Sequence, residues 1–370
     1  MTRSTIALTL MTFAATTALA TGALAQDALE TARASVERYS QPVTEWDGPT
    51  EGPAIAADRE IVVLAADLRN GGVLGVTTGI EEAAEAAGWT VTVIDGAGSI
   101  QGRAAAFGQA LALQPDGIII NGFNAVEQQA ALQQACDADI PMVAWHSGAG
   151  SGPDEQACLF VNVTTDPMEV SKAAAQWAFV DAEGEPGVVI FTDSTYAIAV
   201  AKADEMKRTI EELGGTVLEY VDTPIADTSN RMPTLTTALL QRHGAQWTHS
   251  LAINDIYFDF MGPSLASAGI SPESNPKAVA AGDGSESAYQ RIRANQYQAV
   301  TVAEPLNLQG WQLVDELNRA MQDADWSGYT TPLHVVTQEN VESDGGQNNT
   351  FDPDNGYRDA YRQIWGVTGG

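Results

Sequence analysis

Positive charge is scarce in this 370-residue chain: lysine and arginine number 18 against 48 aspartates and glutamates, for a formal net charge of -30. A surface so acidic repels phosphate backbones and anionic lipid, which excludes nucleic-acid and acidic-membrane partners. Cysteine is almost absent, with only Cys136 and Cys158. No C-x-x-C spacing and no neighbouring histidine accompany them, so neither a thiolate metal site nor thiol chemistry is expected. Cys136 falls in an expected helix and Cys158 before an expected strand, a placement compatible with one disulfide or with two separate thiols.

Cofactor signatures are missing as well. Gly96, Gly98 and Gly102 follow the second apolar run, and Gly148, Gly150 and Gly152 follow the fourth, but neither set is a G-x-G-x-x-G opening the first helix. No G-x-x-x-x-G-K-[ST] occurs, and the lysines are Lys172, Lys202, Lys207 and Lys277. No nucleotide cofactor is therefore expected. Catalytic constellations fare no better. Ser147 follows His146, but Trp145 stands where a G-x-S-x-G elbow requires glycine, and Ser264 lies inside a helical pattern. The remaining histidines, His243, His249 and His334, show no H-E-x-x-H spacing. Asp352, Asp354 and Gly356 resemble part of a calcium loop, yet Gln363 stands where a bidentate glutamate belongs, so the segment reads as a turn and helix cap. No catalytic residue and no metal site are assigned.

What is present begins with residues 1–25, where Arg3, an apolar stretch from Ile6 to Ala20 and the small residues Ala23 and Ala25 form the pattern of a cleaved secretory signal. No other stretch reaches the roughly 18 apolar residues a membrane span needs. The expected mature protein is exported and monomeric. Residues 26–58 read as an arm or linker, helical from Leu29 to Tyr39, with Trp46 packing it onto the body.

From Ile61 onward, apolar runs alternate with amphipathic segments. The first unit, Ile61 to Ala87, sets the plan: a strand without polar alternation, a polar elbow at Asp67 to Gly72, then a helix stopped by Gly88. Further strands are expected over Thr90–Ile94, Gly117–Ile120, Pro141–Trp145 and Leu159–Val163. After a break at Asp166 and Pro167 the plan restarts, with strands at Gly187–Phe191, Thr216–Val221, Thr248–Ile253, Ala278–Ala281, Ala299–Ala303 and His334–Thr337, and a helix from Pro233 to Gln241. Two such series predict an α/β protein of two doubly wound, parallel-sheet lobes with a ligand cleft between them. The expected first lobe takes residues 59–164 and about 306–328, and the second 165–303 and about 333–370.

In open parallel sheets ligands sit beyond the carboxyl ends of strands. Asn70, Asn121, His146, Asn254, Asp283 and Glu304 all occupy such ends, with the aromatic residues Phe123, Trp145, Tyr196 and Tyr257 close by in sequence. Amide and carboxylate forks beside flat aromatic faces suit a polyhydroxylated ligand, since three or four hydrogen bonds to charged groups at about 1.5 to 3 kcal/mol each reach micromolar affinity. A phosphate or sulfonate would call for arginine forks, and only Arg69 and Arg231 lie in these loops. A neutral sugar, polyol or cyclitol is the expected ligand, ahead of a cationic one.

These residues carry a family resemblance. Asn70 before the first helix, Asp116 to Asn121, Ile140 with Pro141, Asn254 with Asp255, the Ala281 to Gly284 run and Glu304 with Pro305 resemble the ribose-binding-protein group of periplasmic substrate-binding proteins that serve ABC importers. The resemblance covers roughly Ile61 to Thr337 and implies two lobes joined by three crossings that close on a sugar. It implies a periplasmic location, an inner-membrane ABC permease as partner, and ligand contacts at Asn70, Asn121, His146, Asn254, Asp283 and Glu304, with stacking from Phe123, Trp145 or Tyr196. Gly72 and Val73 stand where the ribose binder has two phenylalanines, His146 and Ser147 where it has an Asp and Arg pair, and Val200 at its second arginine. The resemblance therefore names no particular sugar. It also allows an alternative, a periplasmic sensor component presenting a small sugar-like signal to a membrane receptor.

Overall fold

The computed structural model describes residues 26–367. The expected signal segment, residues 1–25, lies outside them. Among the described residues no helix is long and apolar enough to cross a membrane.

The first sheet has the order β2-β1-β3-β4-β6-β5, with β1 at Glu60–Ala65, β2 at Thr90–Asp95, β3 at Gly117–Asn121, β4 at Met142–Trp145, β5 at Gly152–Asp154 and β6 at Leu159–Val163. Valine and isoleucine fill β1 and β3 and are buried on both faces, the mark of a sheet covered by helices on each side. Helices α2 (Gly71–Ala87), α3 (Ile100–Leu113) and α4 (Gln129–Asp137) make the crossovers. Asn70 caps α2, its Oδ1 accepting from the Gly72 and Val73 amides at 2.9 and 3.4 Å.

The second sheet repeats the plan in the order β12-β11-β10-β9-β7-β8. Its strands are β7 (Gly187–Thr192), β8 (Thr216–Asp222), β9 (His249–Ala252), β10 (Lys277–Ala280), β11 (Gln298–Ala303) and β12 (His334–Val336). Around them lie α5 (Pro167–Asp181), α6 (Ala197–Leu213), α7 (Thr228–His243), α8 (Gly262–Ser267) and α9 (Glu286–Arg293). Each lobe has its own core. The two-lobed α/β architecture expected from the alternation is present.

Three details depart from expectation. Each sheet carries one antiparallel edge strand, β5 and β12, because neither is reached by a helical crossover within its own sheet. Helix α7 begins at Thr228, five residues before Pro233. Asp227 ties down its first turn by accepting from Asn230 and Arg231 at 3.0 and 2.6 Å, so the helix is already under way when the proline arrives. Finally, the tail does not stay with the second lobe. Strand β12 does, but α11 (Tyr357–Trp365) stacks on Trp311 of α10 (Leu306–Met321) in the first lobe, with Trp311 and Trp365 rings 5.3 Å apart. The arm makes the reverse journey. Its helix α1, residues 26–39, rests on the second lobe through Tyr39, whose hydroxyl donates to Glu169 at 2.7 Å. Trp46 then packs on Tyr329 and Tyr361 of the first lobe. Arm and tail thus add crossings to those after β6, β11 and α10.

Cys136 and Cys158 form a disulfide that ties α4 to the start of β6 across a sequence separation of 22 residues. Closing a loop of this size contributes roughly 2 to 4 kcal/mol. Thermal unfolding under reductant, or of a Cys136→Ala/Cys158→Ala variant, is expected to show a first-lobe transition lowered by several degrees with the fold retained.

Candidate functional site

The carboxyl ends of the two sheets face each other across a cleft of about 620 Å³, its open mouth included. Its wall includes Asp67, Asn70 and Val73 from the first elbow, Trp145 and His146 from the end of β4, Tyr196, Ile198, Ala199 and Lys202 from α6 and the turn before it, and Ile253, Asn254 and Asp283 from the second-lobe strand ends.

At the back of the cleft a buried charge cluster crosses from lobe to lobe. Glu304, 1 % exposed, sits on the crossing after β11. One of its oxygens lies 3.1 Å from His146 Nε2 and accepts from Gln309 Nε2 at 3.0 Å and the Thr165 amide at 3.3 Å. The other lies 3.5 Å from the Lys202 ammonium, which stands 4.0 Å from Asp283. Burial alone would raise the Glu304 carboxyl, but His146 and Lys202 outweigh it and hold the group well below the usual carboxylate range. An ionised Glu304 can only accept, so the His146 proton facing it is on Nε2. Asp283 goes the other way: burial pushes it up to about 6, against the pull of Lys202 and His146 and with the push of Glu304. At separations near 4 Å a unit charge pair is worth about 4 kcal/mol at an effective dielectric of 20, comparable to what desolvating the pair costs. The cluster consequently serves to hold groups in place more than to add stability.

Trp145 and His146 form one flat wall. Their rings stack at 3.6 Å between centroids, 13° from parallel. The indole is oriented by its Nε1 donating to Gln309 Oε1 at 2.9 Å, and His146 takes a left-handed backbone (φ 51°), a conformation that costs a non-glycine residue energy and recurs at binding sites. Opposite, burial pushes the Tyr196 phenol up to about 12, and its ring lies 5.8 Å from the Arg103 guanidinium of the first lobe. Asn254 Oδ1 is buried in the wall without a hydrogen-bond partner. Asn70, its oxygen committed to the cap, has only its amide NH₂ to offer the cleft.

The lobes touch across the cleft. Asn124 Nδ2 donates to the Thr195 carbonyl at 2.8 Å. A Cβ on Gly72 would stand 2.3 Å from an Asp283 oxygen, and one on Gly71 would stand 2.5 Å from the Ser285 Cβ. The space beside Gly71 and Gly72 in the elbow is therefore not open; Ser285 and Asp283 of the opposite lobe fill it.

Of the nine residues assigned from sequence, Asn70, Trp145, His146, Tyr196, Asn254 and Asp283 line the cleft. Three do not. Asn121 is fully buried and donates to the Val73 carbonyl and Thr77 Oγ1, both at 2.9 Å, pinning α2 to β3. Phe123 points into the first-lobe core. Glu304 lies behind the cleft with both oxygens occupied by protein groups. Tyr257 is also interior, its hydroxyl donating to the Thr223 carbonyl at 2.9 Å. Lys202 was missed because it sits a turn into α6 and not at a strand end. A signal for it exists: Ala199, Lys202, Ala203, Met206 and Ile210 share the buried stripe of α6, and a lysine there needs an internal partner. His146, Asp283 and Glu304 bring ligand-type atoms within 4.8 Å of one another, a possible cation site but for the ammonium beside it.

A family profile described as periplasmic binding protein domain matches residues 61–325. No curated protein sequence matches the chain. Among solved structures it is similar to an ABC transporter solute-binding protein from Agrobacterium vitis bound with alpha-D-tagatopyranose, at 16% identity and TM-score 0.69, covering 79% of this chain and 99% of that one. A second A. vitis solute-binding protein, with bound allitol, gives 19% identity and TM-score 0.66 over 77% of this chain and 97% of that one. A sugar ABC transporter structure from Yersinia enterocolitica gives 14% identity and TM-score 0.67 over 87% and 99%. At such identities the likeness speaks for the fold, and it agrees with the profile match across most of the chain: this protein belongs to the periplasmic binding protein family.

Proposed function

We propose that the chain is a periplasmic solute-binding protein that captures a small neutral sugar or polyol and delivers it to an ABC importer by hinge closure. The observation that carries the reading is the Asn254 acceptor, buried in the cleft wall with no partner. A buried orphan oxygen costs about 1 to 3 kcal/mol, and a ligand hydroxyl would recover that cost. Around it, Asn70 and Lys202 offer donors, Asp283 an acceptor, and the Trp145–His146 face an apolar cover for C–H groups. The mixed polar and apolar lining suits a polyhydroxylated molecule. The solved relatives bound with tagatopyranose and allitol support the same ligand class. The ligand would favour the closed form through contacts available only when both lobes reach it.

Tryptophan fluorescence titrated against a panel of pentoses, hexoses and polyols tests the reading directly, since Trp145 lines the cleft; silence across the whole panel would sink it. Asp283→Ala is expected to weaken binding of the responding ligand by at least about 1.5 kcal/mol, roughly tenfold, read by calorimetry. Gly72→Leu would press a side chain against Asp283 and resist closure. It should weaken binding by about 1 to 3 kcal/mol, the usual cost of overpacking, while the unliganded protein keeps its melting temperature.

A further inference from the structure

Lys202 is one of four lysines in the chain and is 3% exposed. No carboxylate on its own helix meets it. Its ammonium lies at the back of the cleft, 3.5 Å from Glu304 and 4.0 Å from Asp283, with His146 bonded to the same Glu304. The three residues around it come from different elements: His146 from the end of β4, Asp283 from the loop after β10, and Glu304 from the crossing after β11. Their ligand-type atoms lie within 4.8 Å of one another and all three residues are buried. One imidazole and two carboxylates converging in a buried pocket are a donor set for a divalent ion such as zinc.

We propose that Lys202 is the specificity-determining residue of the cleft: its ammonium serves as a built-in counter-cation for Asp283 and Glu304 beside His146, so that the cleft refuses cations and accepts uncharged hydroxylated ligands. A bound metal would balance the two carboxylates but would draw in ligand lone pairs and select chelating anions. A tethered ammonium permanently offsets one of the two negative charges, occupies the space between them and keeps a donor for a ligand hydroxyl. Removing it should convert the same three side chains into a metal site. The inference rests on the solute-binding reading only for what the native cleft accepts; the cation exclusion stands on the geometry alone.

The test uses zinc ion as the probe, by calorimetry and thermal shift on the full mature chain, with Lys202→Met, Lys202→Arg and the Lys202→Met/Glu304→Gln double variant. Lys202→Met is expected to take up one more equivalent of zinc than the native protein and to gain several degrees of melting temperature on zinc addition. Lys202→Arg, which keeps the charge, and the double variant, which loses a ligand and restores the balance, should show neither effect. If Lys202→Met folds poorly, zinc should restore its cooperative transition. Absence of any zinc dependence in Lys202→Met, or an equal extra site in the native protein, would overturn the inference. A failure of the sugar and polyol panel would leave these zinc results unchanged, so the two readings fail separately.

Discussion

The Glu304 carboxylate holds the molecule's geometry together. It sits on the crossing after β11, accepts from the Thr165 amide on the crossing after β6, and shares Gln309 with Thr331 on the crossing after α10. Thr165 and Thr331 are themselves joined through their hydroxyls at 2.8 Å. The three connections between lobes are thereby drawn to one buried anion. From the same anion, His146 reaches into the first-lobe side of the cleft and Lys202 into the second. An ion so placed cannot lose a partner cheaply, because the remaining charge would be stranded in a low-dielectric interior. The inter-lobe crossings and the cleft wall are consequently one network: Gln309, which donates to Glu304, also accepts from the Trp145 indole and sets the plane of the aromatic wall.

A complementary constraint operates at the front, where the two lobes touch. The first turn of α2 carries glycines where a side chain would collide with Asp283 and Ser285, and the backbone of one lobe can therefore meet these side chains of the other. Tyr196 under Arg103 and Asn124 on Thr195 complete the seam. Arm and tail strap the two lobes from outside: Tyr39 holds α1 to α5, and stacked Trp311 and Trp365 hold α11 to α10. Arm and tail therefore add connections between the lobes at sites away from the cleft.

Much of the fold was legible because its cause is local. Runs such as Ile61 to Ala65 and Gly117 to Asn121 can only be doubly covered strands, and the restart after Asp166 marks the second lobe. The strand-end rule also led to Asn70, His146, Asn254 and Asp283, since a parallel strand ends at the cleft whatever its sequence. Asn121 and Glu304 obey the same rule in sequence yet face inward. Nothing in their neighbours' identities distinguishes an amide that donates to the Val73 carbonyl from one that faces a ligand.

Alternation of apolar runs and amphipathic segments by itself determined two doubly wound lobes with polar strand ends turned toward one cleft, because periodicity and chain connectivity are properties of a few neighbouring residues. Tertiary structure alone decided which polar groups reach the cleft, the union of Cys136 with Cys158, the return of α11 to the first lobe and the filling of the Gly72 position by Asp283. It alone placed Lys202 opposite Glu304, 102 residues away in sequence. A buried charge is defined by what surrounds it in space, and those partners come from segments that meet only once the chain has folded.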